Sequence, residues 1–245
     1  MEYMDAEKAS ERVKSFISRA RDAAHKKNYK YAIDMYVAAL KHEPTMLEIR
    51  RDLRNIEMEN ISYKASMFRQ KKALLIGMMD LNKGKTAVKN EEYFEAMAYA
   101  EGVLASDPTV GPALTLLANA AEAAGMDLIA MDALEIYGRF HEKDLEAQHN
   151  LCELYSENGM GPKAIALCQR VQAANPENGQ IEGWLKNYMA NSAMDAGGIG
   201  AKGKANTTNT AAKTETNTGG PTRGQSASSE AVDSLIIQVE ASPED

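Results

Sequence analysis

Leu151-Cys152-Glu153-Leu154-Tyr155-Ser156-Glu157-Asn158-Gly159-Met160-Gly161-Pro162-Lys163-Ala164 is the stretch on which the fold turns. Ala164 lies 34 residues after Ala130, and Ala130 lies 34 residues after Ala96. Cys152, Ala118 and Gly84 keep the same interval, and Gly159 repeats Gly125. From Gly77 to Asn178 three such units follow one another without a gap. Within each unit two apolar-periodic stretches flank a turn. One helical hairpin cannot bury its own apolar face, so a unit repeated at this period implies hairpins stacked into a solenoid. A further copy lies upstream, with Tyr29, Ala32, Tyr36, Ala39, Leu40 and Pro44. The fold class expected is all-α.

These units resemble the tetratricopeptide repeat across roughly residues 13–191. The unit near 13–46 carries Tyr29, Ala32, Tyr36, Ala39 and Pro44; that near 77–110 carries Gly84, Tyr93, Ala96 and Pro108. The unit near 111–144 keeps Leu117, Ala118, Gly125 and Ala130 but has Glu142 where a proline is usual. The unit near 145–178 keeps Leu151, Tyr155, Gly159, Ala164 and Pro176, and no unit has the family's early tryptophan. The resemblance implies a right-handed helical-hairpin solenoid. Its marks are packing residues and carry no function of their own.

Proteins of this family bind other proteins in a concave groove lined by the first helix of each repeat. Carried over, that geometry implies a partner-binding groove of Lys14, Ile17 and Arg21, then Leu81, Lys85 and Val88, then Thr115, Asn119 and Glu122, then His149, Glu153 and Ser156. Such a groove starts basic (Lys14, Arg21, Lys85, Lys89) and ends acidic (Glu122, Glu146, Glu153, Glu157). That polarity would orient an extended peptide or helix by its own charge. One branch of the family clamps acidic C-terminal peptides with lysine and asparagine. Lys14 and Asn82 match that clamp, but Ser18, Pro112 and Leu116 stand where further donors are required, so that mode is not expected.

The first helix is expected over 6–27, ended by Asn28 in a left-handed turn, and the second over 29–42. The period then breaks: Ala32 and Ala96 are 64 residues apart, so residues 47–76 form a helical insertion. It reads as a helix near 46–60, a helical or partly open connector carrying Lys64, Arg69, Lys71 and Lys72, and a helix from about 70 to 89. The connector is either a solvated face or a contact for an acidic partner. Further helices are expected near 92–105, 110–124, 127–140, 145–158 and 161–174. A last helix over 179–191 has Ile181, Trp184, Leu185 and Tyr188 on one face, and Lys186 where Gly84, Ala118 and Cys152 stood, so it reads as a C-terminal cap.

Residues 1–191 are thus expected to form one solenoid domain and 192–245 a low-complexity, disordered tail. Within the tail, Ser234-Leu235-Ile236-Ile237-Gln238-Val239-Glu240 is either a short docking motif or an isolated apolar patch.

The chain has 245 residues and a formal net charge of −7, a balance without the basic footprint of general nucleic-acid binding. The apolar run Ala73–Met79 is far shorter than the ~20 residues of a bilayer span, and the start Met1-Glu2-Tyr3-Met4-Asp5 is no secretory signal. A cytoplasmic location follows as the expectation. Cys152 and Cys168 read as reduced core thiols. Gly84-Lys85-Thr86 lacks the upstream glycine and strand of a phosphate loop, and Gly198-Ile199-Gly200-Ala201-Lys202-Gly203 follows no strand. His25, His42, His141 and His149 show no metal spacing. No catalytic residue, cofactor or metal is expected. The expected function is a non-enzymatic adaptor or scaffold holding a partner peptide or helix. The alternative is a self-assembling or non-catalytic regulatory subunit, a homo-oligomer being compatible with either.

Overall fold

The computed structural model describes residues 2–196. The stretch 197–245, with the segment 234–240 and the Gly198–Gly203 pattern, lies outside the described residues. A 3-10 turn at Ala6–Lys8 precedes ten helices: α1 (Glu11–His25), α2 (Tyr29–His42), α3 (Leu47–Asn60), α4 (Met67–Lys89), α5 (Tyr93–Leu104), α6 (Gly111–Ala123), α7 (Asp127–Phe140), α8 (Leu145–Glu157), α9 (Gly161–Ala174) and α10 (Gly179–Ala196). No strand occurs among the described residues. The pairs α1–α2, α4–α5, α6–α7 and α8–α9 pack as hairpins, and α5–α6, α7–α8 and α9–α10 join successive ones. This is an all-α helical-hairpin solenoid.

Small residues at the repeat positions set the close approach of its helices. Ala32, Ala96, Ala130 and Ala164 are all fully buried. Gly84, Ala118 and Cys152 are buried too, whereas Lys186 at the matching place on α10 is exposed and bridges Glu182 at 2.6 Å. Cys152 and Cys168 are free, buried thiols with sulphurs 3.1 Å apart. The hydrogen bond to Cys168 and burial push the Cys152 thiol up, which keeps it protonated.

The turn inside each hairpin repeats in atomic detail. Lys27, Glu91, Gly125 and Gly159 stand at the same repeat position, and all have positive φ, between 57° and 71°. In each case the next residue's N–H reaches back five residues: Asn28 to Ala23 (2.9 Å), Glu92 to Ala87 (2.8 Å), Met126 to Ala121 and Met160 to Tyr155 (both 2.7 Å). This is the 6→1 bond that satisfies a helix's last carbonyls. Lys27, not Asn28, takes the left-handed conformation after α1. Asn28 instead caps α2, its side chain accepting from the Tyr31 N–H at 3.5 Å.

Two further boundaries differ from expectation. The connector is short: Ser62 and Tyr63 turn the chain with positive φ, and residues 67–76 already belong to α4. The last helix runs on to Ala196, where the sequence suggested a tail from Ser192. Gly161 leaves room for Ser192, whose side chain would lie 2.7 Å from a Cβ placed there.

The insertion changes the course of the stack. α3 packs on α2 and α7, and α2 packs on α5. The buried apolar residues accordingly fall into two clusters, one within α1–α3 and one running from α4 to α10. Between them sits a buried charged cluster. Arg50 donates to Glu101 at 2.8 Å and to the Pro44 carbonyl at 2.9 Å, and Arg54 donates to both Glu57 and Glu101. At the rim Arg51 forms a two-bond pair with Asp132 (2.6 and 3.0 Å), and the Tyr3 hydroxyl accepts from the Leu128 N–H (2.9 Å).

Candidate partner-binding surface

The first helices of the three contiguous hairpins, α4, α6 and α8, carry most of the expected groove residues. Lys85 on α4, Asn119 and Glu122 on α6, and Glu153 on α8 are exposed. Val88, Thr115 and Ser156 are half-buried. The Thr115 hydroxyl is turned to its own helix, donating to the Gly111 carbonyl at 3.3 Å. Leu81 is buried in the α4–α10 core and Ile17 in the α1–α3 core, so both side chains are used in packing.

Glu122 on α6 and Glu153 and Glu157 on α8 are all exposed. Partial burial, and then the neighbouring Glu157, Asp127 and Glu153, raise the Glu122 carboxyl above its ordinary value. Neighbouring carboxylates favour the protonated form of one another and attract cations. Asn158 adds a neutral contact, its amide donating to Asp127 at 3.3 Å.

The basic residues do not all join this surface. Lys85 and Lys89 are exposed on α4. Lys14 and Arg21 stand on α1, which packs on α2. Lys14 pairs with Glu11 at 3.0 Å, and Arg21 reaches Asp52 of α3 at 3.4 Å. His149 is half-buried under the last helix: its ring packs tilted against Trp184, with centres 4.3 Å apart, and lies 3.9 Å from the Glu153 carboxylate. The ring is therefore part of the α8–α10 contact.

A cleft of about 390 Å³ opens on the other side, between α7, α8 and α9. Arg139, Arg170, Lys163 and Glu135 line it, and the Tyr155 hydroxyl donates to Glu135. Gly84-Lys85-Thr86 lies inside α4, with the Thr86 hydroxyl donating to the Asn82 carbonyl at 3.0 Å. Among the described residues no group of three or more His, Cys, Asp or Glu is set to hold a metal ion. No described helix is long and apolar enough to cross a membrane.

Sequence reasoning missed the buried charged cluster. Arg50, Arg54 and Glu57 recur at i, i+4 and i+7, a helical face, but apolar periodicity does not register charged residues as a core face.

No protein-family model matches the chain, and no curated protein matches it. Among solved structures, the crystal structure of MamA protein is similar, with a TM-score of 0.42 and 16% sequence identity over 77% of this chain and 87% of that one. A likeness of that depth carries no argument about this chain's function.

Proposed function

We propose that the chain is a non-enzymatic protein-interaction scaffold of tetratricopeptide-like hairpins. It holds a partner peptide or helix along the face formed by α4, α6 and α8. The observation that carries this reading is the exposure of Lys85 and Lys89 on α4 and of Glu122, Glu153 and Glu157 on α6 and α8. A ligand lying along it with its basic end toward α8 meets complementary charge throughout. Lys85, Asn119, Glu122, Glu153 and Ser156 are the contacts of this proposal. Lys14 and Arg21 form a separate basic patch on α1, over the buried Ile17, and Leu81, Val88, Thr115 and His149 shape the α4–α6–α8 surface from beneath.

A pull-down from native lysate read by mass spectrometry tests it, comparing the wild type with a Glu122→Lys, Glu153→Lys variant of unchanged circular dichroism. A partner retained by the wild type and lost by the variant is the expected result. A partner held equally by both removes this face from the binding site.

A further inference from the structure

Each later first helix is covered on one side by the hairpin before it: α6 lies against α5, and α8 against α7. For α4 no described helix fills that place, because α3 leaves toward α2 and α7. The buried stripe of α4 (Ala73, Gly77, Leu81, Gly84, Ala87) faces into the stack. Around the helix from it, Phe68, Leu75 and Met79 form a second stripe at i, i+7 and i+11, with 81%, 74% and 70% of their surface exposed. Ile76 adjoins it at 66%. Large apolar side chains exposed together on one face mark an interaction site.

The face is rigid as well as apolar. At its N-terminal end Arg69 pairs with Asp107 at 2.8 Å, and the Gln70 amide donates to the Thr109 hydroxyl at 2.8 Å. Asp107 is itself buried and accepts from the Thr109 N–H and hydroxyl (2.9 and 2.6 Å). These bonds fix the N-terminal turn of α4, which carries Phe68, to the α5–α6 link. A pre-organised face loses little entropy on binding.

Charge selects the occupant. Lys71 and Lys72 flank the stripe on either side, and neither has an ion-pair partner among the described residues. Lys83, a turn further on, lies 3.9 Å from Asp80 of its own helix and over the Tyr99 ring, 5.8 Å from its centre. Two copies meeting through this face would set lysine-flanked stripes against each other, and like charges brought together oppose association. The open place is one helix layer wide, about 10 Å.

We infer that the open face of α4 is a docking site for an amphipathic helix whose apolar stripe is bordered by carboxylates. The site is distinct from the α4–α6–α8 groove face and does not rest on it.

The probe is a fluorescent synthetic peptide of residues 229–241 of this sequence. Its Val232, Leu235, Ile236 and Val239 recur at i, i+3, i+4 and i+7, with Asp233 and Glu240 bordering that stripe and Glu230 on the far side. The protein is the full chain with Leu235→Asp and Ile236→Asp, so that it cannot compete with the probe. Anisotropy should show saturable binding, weakened at least about tenfold by Leu75→Glu, which alters an exposed position and leaves the fold intact. A peptide with Glu230, Asp233 and Glu240 all changed to Lys should bind at least about tenfold more weakly. Absent binding, or binding indifferent to Leu75→Glu or to peptide charge, overturns the inference. So does binding of phosphatidylserine vesicles in place of the peptide, which would make the face a lipid contact. A dimer abolished by Leu75→Glu would make it a contact between copies, and would overturn it equally.

Discussion

Glu57 sits in the interior with one carboxylate oxygen bonded to Arg54 and the other without a partner. Glu101, by contrast, receives both Arg50 and Arg54. The two carboxyls separate accordingly. Burial pushes Glu57 up to about 8, with Arg54 pulling the other way. Burial alone would raise Glu101 as well, but Arg54 and Arg50 hold it below its ordinary value. A carboxyl raised in the folded state keeps its proton where the unfolded chain has released it. Stability from Glu57 is therefore full below pH 4.5 and is lost as pH rises toward 8. Glu57→Gln should flatten that part of the stability–pH curve, measured by urea unfolding across the range. An unchanged slope would mean that Glu57 is ionised beside Arg54. A charged triplet at helical spacing is visible in sequence, but its burial is not, because burial depends on Glu101, which lies on another helix.

At the scale of the element, the intra-hairpin turn solves one backbone problem four times. Gly125 and Gly159 adopt positive φ at little cost. Lys27 and Glu91 hold the same conformation with a side chain, which the left-handed region disfavours. Glu91→Gly should raise stability by about 0.5 kcal/mol, read as a higher denaturation midpoint with an unchanged slope. The period makes this turn legible, since Glu91 stands 34 residues before Gly125; the residue type alone conceals it. A second contrast concerns helical glycines. A Cβ on Gly77 would meet Val103 at 2.6 Å, whereas one on Gly102 meets nothing within 4 Å. Gly102→Ala should stabilise by about 0.5–1 kcal/mol through helix propensity. Gly77→Ala gains the same propensity but forces the α4–α5 contact apart and should cost about 1–3 kcal/mol. Thermal unfolding of both variants checks the pair, and a Gly77→Ala protein as stable as the wild type would show that α4 shifts freely on α5.

At the scale of the molecule, Glu101 is the buried link between the α1–α3 core and the α4–α10 core, binding two arginines of α3, beside the rim contacts of Arg51 with Asp132 and Tyr3 with Leu128. Glu101→Ala leaves Arg50 and Arg54 buried with a carboxylate lost, at a cost of about 3–5 kcal/mol. Amide hydrogen exchange should then quicken in α1–α3 while α6–α9 keep their protection. Uniform loss of protection would instead mean a single cooperative unit. The sequence by itself determined the helices, the hairpin pairing and the small residues between them. Those follow from period and propensity within a window of one repeat. It also placed Lys186 on the outside of the last helix. Only the tertiary structure decided where α3 goes and which apolar face of α4 the described residues leave exposed. Those depend on a charged cluster spanning α3 and α5 and on no helix among the described residues lying over α4. Contacts between residues far apart in the chain leave no periodic trace in it, so a repeat pattern specifies each hairpin while the break between stacks is settled by long-range packing.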